Sequence, residues 1–374
     1  AKTPVVVRVH SSKPISLVAT FGEIEAEYAA IRKSAGILDL PTHGLIVATG
    51  KDRIEFLNRL LSNDVKPVAD GHAVRAFLLT RQGRILSDMV VSSAGDDSCY
   101  LTMSAFVVDR VAEHFESFVF GEDVQFVNAT CEFHTIAIHG PKCIEILKDA
   151  EDASGQTNWA ALDESGNCCQ IQMSGAGVNV VRRDSAGEIG VELICPAENI
   201  EGKYERLLTA GEKAGARAIG WMAYNMARME AGCPLFLVDF GQDSLPHETG
   251  PVLNEAVSFA KGCYPGQEIV ARIQSRGHPS KILAGLRFSG EEIPMTGASV
   301  YEVVGDGDSA HGRDVVGAVT SASPGPMLGN DGIALAMLKY DCASPETEVF
   351  IAAPTGVAIR GRVQAIPFWR RRED

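Results

Sequence analysis

The sequence predicts an α+β chain of two similar α/β subdomains followed by a C-terminal β-barrel, and three observations carry that expectation. Helix-period and strand-period segments alternate up to about residue 280. The order of elements that begins near Gly44 resumes from Cys131. Beyond residue 280 the texture changes to short apolar runs separated by Gly, Pro and Asp, the pattern of a small closed barrel. With 374 residues the chain exceeds one typical domain of roughly 100–200 residues. Boundaries are expected at 1–130, 131–280 and 281–374.

Taken in order, Phe21 to Ala35 carries Ile24, Tyr28 and Ile31 at helical spacing and is expected to be a helix closed by Gly36. Gly44 to Ala48 is a short apolar strand. Asp52 and Glu55 have the spacing of a capping box at the head of a helix whose apolar face is Ile54, Leu57, Leu60 and Leu61, stopping near Asn63. Two β-like runs between Phe77 and Ser92 flank Arg81-Gln82-Gly83-Arg84, a hairpin turn. From Cys131 to Gly140 a second strand leads, through Gly140-Pro141-Lys142, into another helix, as Gly50-Lys51-Asp52 does before it. Helices are expected over Ala197 to Ala214 and Trp221 to Ala231. The barrel strands are expected at Ile282 to Phe288, Ser299 to Val304, Val315 to Ser321, Ile333 to Lys339, Glu348 to Ala352 and Val357 to Ile366.

Composition excludes several classes. No apolar run approaches the roughly 20 residues of a membrane helix, and Ala1 to Arg8 has no signal-peptide pattern, so the cytoplasm is the expected location. The formal net charge of -14 opposes non-specific nucleic-acid binding, because affinity for a polyanion comes mostly from Lys and Arg displacing counterions. The basic run Arg370-Arg371-Arg372 stands beside Glu373 and Asp374 and is expected to be a solvated tail. Nine cysteines, with no CxxC pair, fit a reducing compartment and argue against a metal centre of the protein's own.

The most informative stretch is Lys261-Gly262-Cys263-Tyr264-Pro265-Gly266-Gln267-Glu268. Two glycines and a proline hold the backbone in a tight loop that runs into a helix starting near Glu268. A thiol near Lys261 and a helix N-terminus has its thiolate favoured by both, which makes Cys263 a reactive-thiol candidate. The competing reading is a buried small hydrophobe in a loop chosen for its shape.

This loop, with Arg276-Gly277 after it, resembles the signature of the YgfZ branch of the aminomethyltransferase (glycine-cleavage T-protein, GcvT-like) superfamily. Phe56 to Val65, Gly83 to Asp88, Gly190-Val191-Glu192, Arg228 to Gly232 and Val316 to Ser321 are similar to further segments of that superfamily, so nearly the whole chain is covered. The resemblance implies the GcvT/YgfZ-like folate-binding fold and tetrahydrofolate, or a one-carbon-substituted folate, as cofactor. Its implied role is accessory: maturation or repair of iron–sulfur enzymes, linked to transfer RNA modification through such an enzyme. Iron–sulfur clients and a small-molecule folate are the implied partners, with no membrane and no direct nucleic acid. Cys263 is then the candidate catalytic group, as nucleophile, redox group or transient cluster ligand. Asp88 joins it as a general base or an electrostatic partner of the folate nitrogens.

Glu192 stands where the superfamily places a pterin-binding glutamate, and a carboxylate suits that task because it accepts two parallel N–H donors from an aminopyrimidine edge. Tyr224 or Trp221 offers an aromatic wall, both being ordinary core residues as well. Arg228 either faces the ligand or is paired with a carboxylate as scaffold. Lys261, Arg272 and Arg276 are candidates for the anionic folate tail, and Gly262, Tyr264, Gly266, Gln267 and Glu268 complete the expected binding loop. Three departures from the T-protein pattern weaken transfer chemistry more than binding. Pro41-Thr42 replaces a Ser-His pair, with His43 shifted by one; Ser87 replaces one of two consecutive acids; Tyr224 stands where a folate-contacting arginine is found. The alternative reading is a folate-dependent aminomethyltransferase or demethylase.

Overall fold

A computed structural model describes residues 5–9, 15–290, 292–303, 314–356 and 358–371. The chain divides into two compact units: Ala1–Leu79, Leu86–Tyr224 and Ala256–Pro265 form one, and Thr80–Ile85, Asn225–Glu255 and Gly266–Asp374 form the other.

The first unit opens with β1 (Val5–Val9) antiparallel to β2 (Ile15–Thr20), then α1 (Ile24–Lys33) and β3 (Gly36–Asp39). There follow β4 (His43–Thr49), α2 (Arg53–Leu60), β5 (Ala73–Leu79), β6 (Ile85–Ser93), β7 (Ser98–Ser104), α3 (Val108–Glu116) and β8 (Gln125–Asn128). The same succession then recurs as β9 (Phe133–His139), α4 (Cys143–Ala150), β10 (Cys168–Met173), β11 (Ala176–Arg182), β12 (Gly190–Pro196), α5 (Ile200–Gly211) and β13 (Arg217–Ile219). The two sheets repeat it as well: their orders are β5-β6-β7-β4-β8 and β10-β11-β12-β9-β3-β13, alike except that β3 is inserted before the last strand.

The repeat extends to one backbone device. Gly50 and Gly140, each just after the first strand of its repeat, have positive φ (98° and 144°), and a Cβ there would lie 2.2 Å from the Asp123 carbonyl oxygen and 2.3 Å from that of Ser34. Two residues on, Asp52 N–H donates to the Asp123 carbonyl (3.1 Å) and Lys142 N–H to that of Ser34 (3.0 Å). Only glycine lets the helix start approach the neighbouring backbone this closely.

Two expectations about helix ends are corrected. Gly36 does not close α1, whose C-cap is Ser34; it opens β3, where a Cβ would lie 2.6 Å from Ile219. Its small size serves strand packing. Asp52 is the N-cap of α2 without a side-chain capping bond, because its carboxylate accepts from Asp123 N–H instead (2.8 Å). The hairpin turn is as expected, with Thr80 N–H donating to the Arg84 carbonyl at 2.8 Å.

From the first unit α6 (Trp221–Glu230) carries the chain on, followed by α7 (Val252–Ala256) and α8 (Gln267–Arg276). The barrel of the second unit comprises β14 (Lys281–Phe288), β15 (Ser299–Glu302), β16 (Val315–Gly325), β17 (Asp331–Lys339), β18 (Glu348–Ala352) and β19 (Ala358–Gln364), closed in the order β14-β17-β16-β15-β18-β19. Closure leaves no sheet edge unpaired, and Leu286, Val300, Val349 and Ile351 fill the interior. The expected strand ends Val304 and Val357, and the tail residues Arg372, Glu373 and Asp374, lie outside the described residues. Among the described residues no helix is long and apolar enough to cross a membrane.

Candidate functional site

Within the first unit the two sheets face one another through a layer that is apolar on one side and charged on the other. Leu45, Val90, Val181 and Ile194 form the apolar side, with Tyr100 and Phe133 packed against it and edge-on to one another at a centroid distance of 5.3 Å. Strand alternation sets the charged side, because residues two apart share a face. His43 precedes Leu45 on β4, Asp88 precedes Val90 on β6, and Glu192 precedes Ile194 on β12.

Glu192 is the centre of this charged group. Its residue is 9% exposed, and no hydrogen bond reaches the carboxylate among the described residues. Arg183 Nε lies 3.2 Å from Oε1, but in a direction that leaves its own N–H without an acceptor. Burial works to raise the Glu192 pKa; the neighbouring cationic groups, Arg183 first, outweigh it, and the net shift is downward. The carboxylate is therefore ionised and has its acceptor positions open. Among the described residues His43 Nδ1 is likewise buried without a partner, and burial holds that imidazole neutral at ordinary pH against the raising field of Glu192.

Asn179, on β11, is 3% exposed; its Nδ2 donates to the Ser93 carbonyl at 2.7 Å, which leaves Oδ1 as an unbonded buried acceptor. Groups of this kind cost free energy in a folded chain unless something completes them. Asn179 pairs with Ile194 on the apolar side, whereas the Glu192 carboxylate beside the Arg183 N–H is suited to a polar ligand carrying both donors and acceptors.

Tyr224, at the head of α6, is buried with its ring stacked on His139 (centroids 5.2 Å, 24° between planes) and its hydroxyl 3.0 Å from Ser185 Oγ. Glu27 fixes that helix start: its carboxylate accepts Gly220 N–H at 2.8 Å and, on the other oxygen, Thr20 Oγ1–H at 2.7 Å. Among the described residues His139 Nδ1 has no partner; it abuts Gly190, where a Cβ would lie 2.4 Å away.

Burial lowers the His139 pKa to about 4, with Glu192 and Asp184 opposing. An unfolded chain with a histidine pKa near 6.5 binds this proton where the folded one does not, so the stabilisation is complete above pH 6.5 and is lost as pH falls through 4. The expected loss is roughly 3 kcal/mol. Urea unfolding of the wild type and of His139→Phe between pH 7 and 4 checks this, and the wild type alone should show that component.

Asp88 is gripped by Arg75 at two points, Nε to Oδ1 (3.0 Å) and Nη2 to Oδ2 (2.6 Å), with both side chains nearly buried. Through Arg75 the pair acts on the field at Glu192. The Lys261–Glu268 loop is arranged differently from what its sequence suggests. Lys261 turns its ammonium away, donating to the carbonyls of Asn58, Leu61 and Asn63 (2.5, 2.6 and 2.9 Å), and so closes the C-terminal end of α2. Its Nζ lies 5.4 Å from the centre of the buried Tyr264 ring.

Cys263 and Gly262 are exposed, so the loop displays the thiol. In the second unit Gly266 (φ 82°) caps α8, where a Cβ would lie 2.5 Å from the Thr80 carbonyl. Gln267 follows half-buried, and Glu268, Arg272 and Arg276 are exposed along α8.

Of the two arrangements open to Arg228, the structure builds the paired one. The guanidinium is buried in the second unit and donates to Asp239 (2.6 Å), Ser321 Oγ (2.8 Å), Asn225 Oδ1 (2.9 Å) and the Cys233 carbonyl (3.2 Å). A β-bulge in β16 at Thr320 lets both Thr320 and Ser321 reach this network. Among the described residues no group of three His, Cys, Asp or Glu side chains is placed to hold a metal.

The sequence pointed to Glu192, Asp88 and Tyr224 but not to Arg75, Arg183 or His139. One signal was present for Arg183: a carboxylate inside Val191-Glu192-Leu193-Ile194 needs a nearby cation.

The GCVT N-terminal domain matches residues 12–261 and the glycine cleavage T-protein C-terminal barrel domain matches residues 281–369. Curated relatives include the aminomethyltransferases of Geobacillus sp. (strain WCH70), 28% identical over 94% of this chain and 92% of theirs, and of Streptomyces coelicolor, 29% identical over 94% and 91%. A crystal structure of glycine cleavage system aminomethyltransferase T from Bartonella henselae has the same fold, with a TM-score of 0.82 and 22% identity over 98% of this chain and 95% of that one. The chain belongs to the GcvT family.

Proposed function

We propose that the protein is a tetrahydrofolate-binding protein of the YgfZ type, a cytoplasmic accessory factor for the maturation or repair of iron–sulfur enzymes. The observation that carries this reading is the ionised, hydrogen-bond-free carboxylate of Glu192 beside the unpaired polar atoms of Arg183 and His43. A pterin supplies adjacent N–H donors for such a carboxylate and ring acceptors for such donors. Tyr100, Phe133 and Tyr224 offer flat apolar surface nearby. Bound tetrahydrofolate would supply nitrogen nucleophiles able to carry one-carbon units.

The accessory role is supported by the resemblance of the Lys261–Glu268 loop and by the exposure of Cys263. Asp88, held by Arg75, is the electrostatic partner of the folate in this reading. If the thiol matters, Cys263→Ala should fail to restore iron–sulfur enzyme activities in a strain lacking the protein; full complementation would remove the thiol from the mechanism.

A second reading is folate-dependent aminomethyl transfer or demethylation, and its aminomethyl-transfer form is favoured by the curated relatives being aminomethyltransferases. The two are separated by incubating the protein with tetrahydrofolate and a panel of aminomethyl, methylamine and sulfonium donors. The accessory reading predicts bound folate without turnover. Sustained formation of methylene- or methyl-tetrahydrofolate would replace it with the transferase.

A further inference from the structure

We propose that Arg183 makes the Glu192 site selective for a 2-amino-4-oxo pyrimidine edge and against its 4-amino counterpart, a proposal that rests on the reading of the site as one for reduced folate. Two buried groups of fixed and opposite character lie side by side. The Glu192 carboxylate can only accept, and it accepts nothing from the described residues. Arg183 Nε–H can only donate, since a guanidinium keeps its protons at all relevant pH, and this N–H has no acceptor. Nε and Oε1 are 3.2 Å apart, so the two groups can address neighbouring positions on one ring edge.

The edge that completes both presents donors to the carboxylate and an acceptor to the guanidinium. A pterin does so with its 2-amino group, N3–H and O4. In the 4-amino-4-deoxy analogue a second amino group replaces O4, and two donors would face one another in a nearly buried place. Flipping that ring to offer its protonated N1 side instead brings N8–H of the tetrahydro form against Arg183, which is again a donor. Either way the Arg183 N–H stays unpaired, and an unpaired buried donor lowers affinity by roughly 10- to 100-fold. Guanine carries the same donor–donor–acceptor edge, so the chemistry named is the edge, and the ligand source is settled by comparison.

The test is anaerobic calorimetry with three probes: tetrahydrofolate, 4-amino-4-deoxytetrahydrofolate and guanosine. The expected result is that tetrahydrofolate binds at least about 10-fold more tightly than its 4-amino analogue. In Arg183→Gln, whose amide presents either an oxygen or an NH2 group, that preference should fall to about 3-fold or less, while Arg183→Lys, which only donates, should keep part of it. Equal binding of the two pteridines to the wild type overturns the proposal without needing any variant, as does a preference that survives Arg183→Gln. Binding of guanosine in place of both pteridines would uphold the edge rule and overturn the folate reading. Binding of none of the three overturns both.

Discussion

Replacing Arg228 with methionine is expected to cost about 3–5 kcal/mol of stability, because it strands a buried carboxylate. The Arg228 and Asp239 side chains are 1% and 0% exposed, and among the described residues Asp239 would retain only the Leu235 N–H (2.9 Å) and the Thr320 hydroxyl (2.8 Å). Adding Asp239→Asn should restore part of the loss by removing the stranded charge while its one amide oxygen keeps an acceptor for one of those two donors, which bond to different oxygens of the aspartate. Trp369 is the one tryptophan of this unit, so its fluorescence in a background with Trp159 and Trp221 changed to phenylalanine follows unfolding of the unit directly. A loss below about 1 kcal/mol would mean that the network is solvated and that Arg228 is open to another partner.

The second large effect belongs to Glu192. Glu192→Ala removes the carboxylate that the site offers to a ligand, and truncating one member of a buried charged contact costs about 2–5 kcal/mol of binding. Tetrahydrofolate affinity should therefore fall by about 30-fold or more. Glu192→Gln keeps the shape and one acceptor, so an intermediate loss is expected from it. An unchanged dissociation constant in both variants would place the ligand elsewhere.

The fold was legible where local pattern and tertiary context agree. The six barrel strands, the hairpin around Arg81–Arg84 and the helix after Gly140 all follow from apolar period and turn residues. Gly36 misled because a glycine after a helical run also serves where two elements pack too closely for a Cβ, and only the position of Ile219 separates the two uses. Strand β10 was missed because Cys168-Cys169-Gln170-Ile171-Gln172-Met173 alternates with little β-branched or aromatic content, leaving a weak strand signal.

Within the candidate site, Glu192 stood out as an acid in an apolar strand and through the superfamily resemblance. Its surroundings did not, because Arg75, Arg183 and His139 reach it through sheet pairing and sheet packing that no local spacing records. Lys261 shows the same limit in reverse. It stands two residues from Cys263, where the sequence has it favour the thiolate, yet a lysine stem is long enough to carry the charge to the end of α2, where three carbonyls take it. Tyr224 is different again: the resemblance located it, but its contacts with His139 and Ser185 came from the fold.

The measurement that tests the central claim most directly is an anaerobic titration of the wild-type protein with tetrahydrofolate, followed by calorimetry. The Glu192 site predicts saturable binding at one equivalent per chain, with Trp221, whose ring lies 5.7 Å from that of Tyr224, reporting the same event by fluorescence. Absence of any heat or fluorescence change at millimolar tetrahydrofolate would contradict the account, and the protein would then be a member of the family that keeps its fold without its ligand.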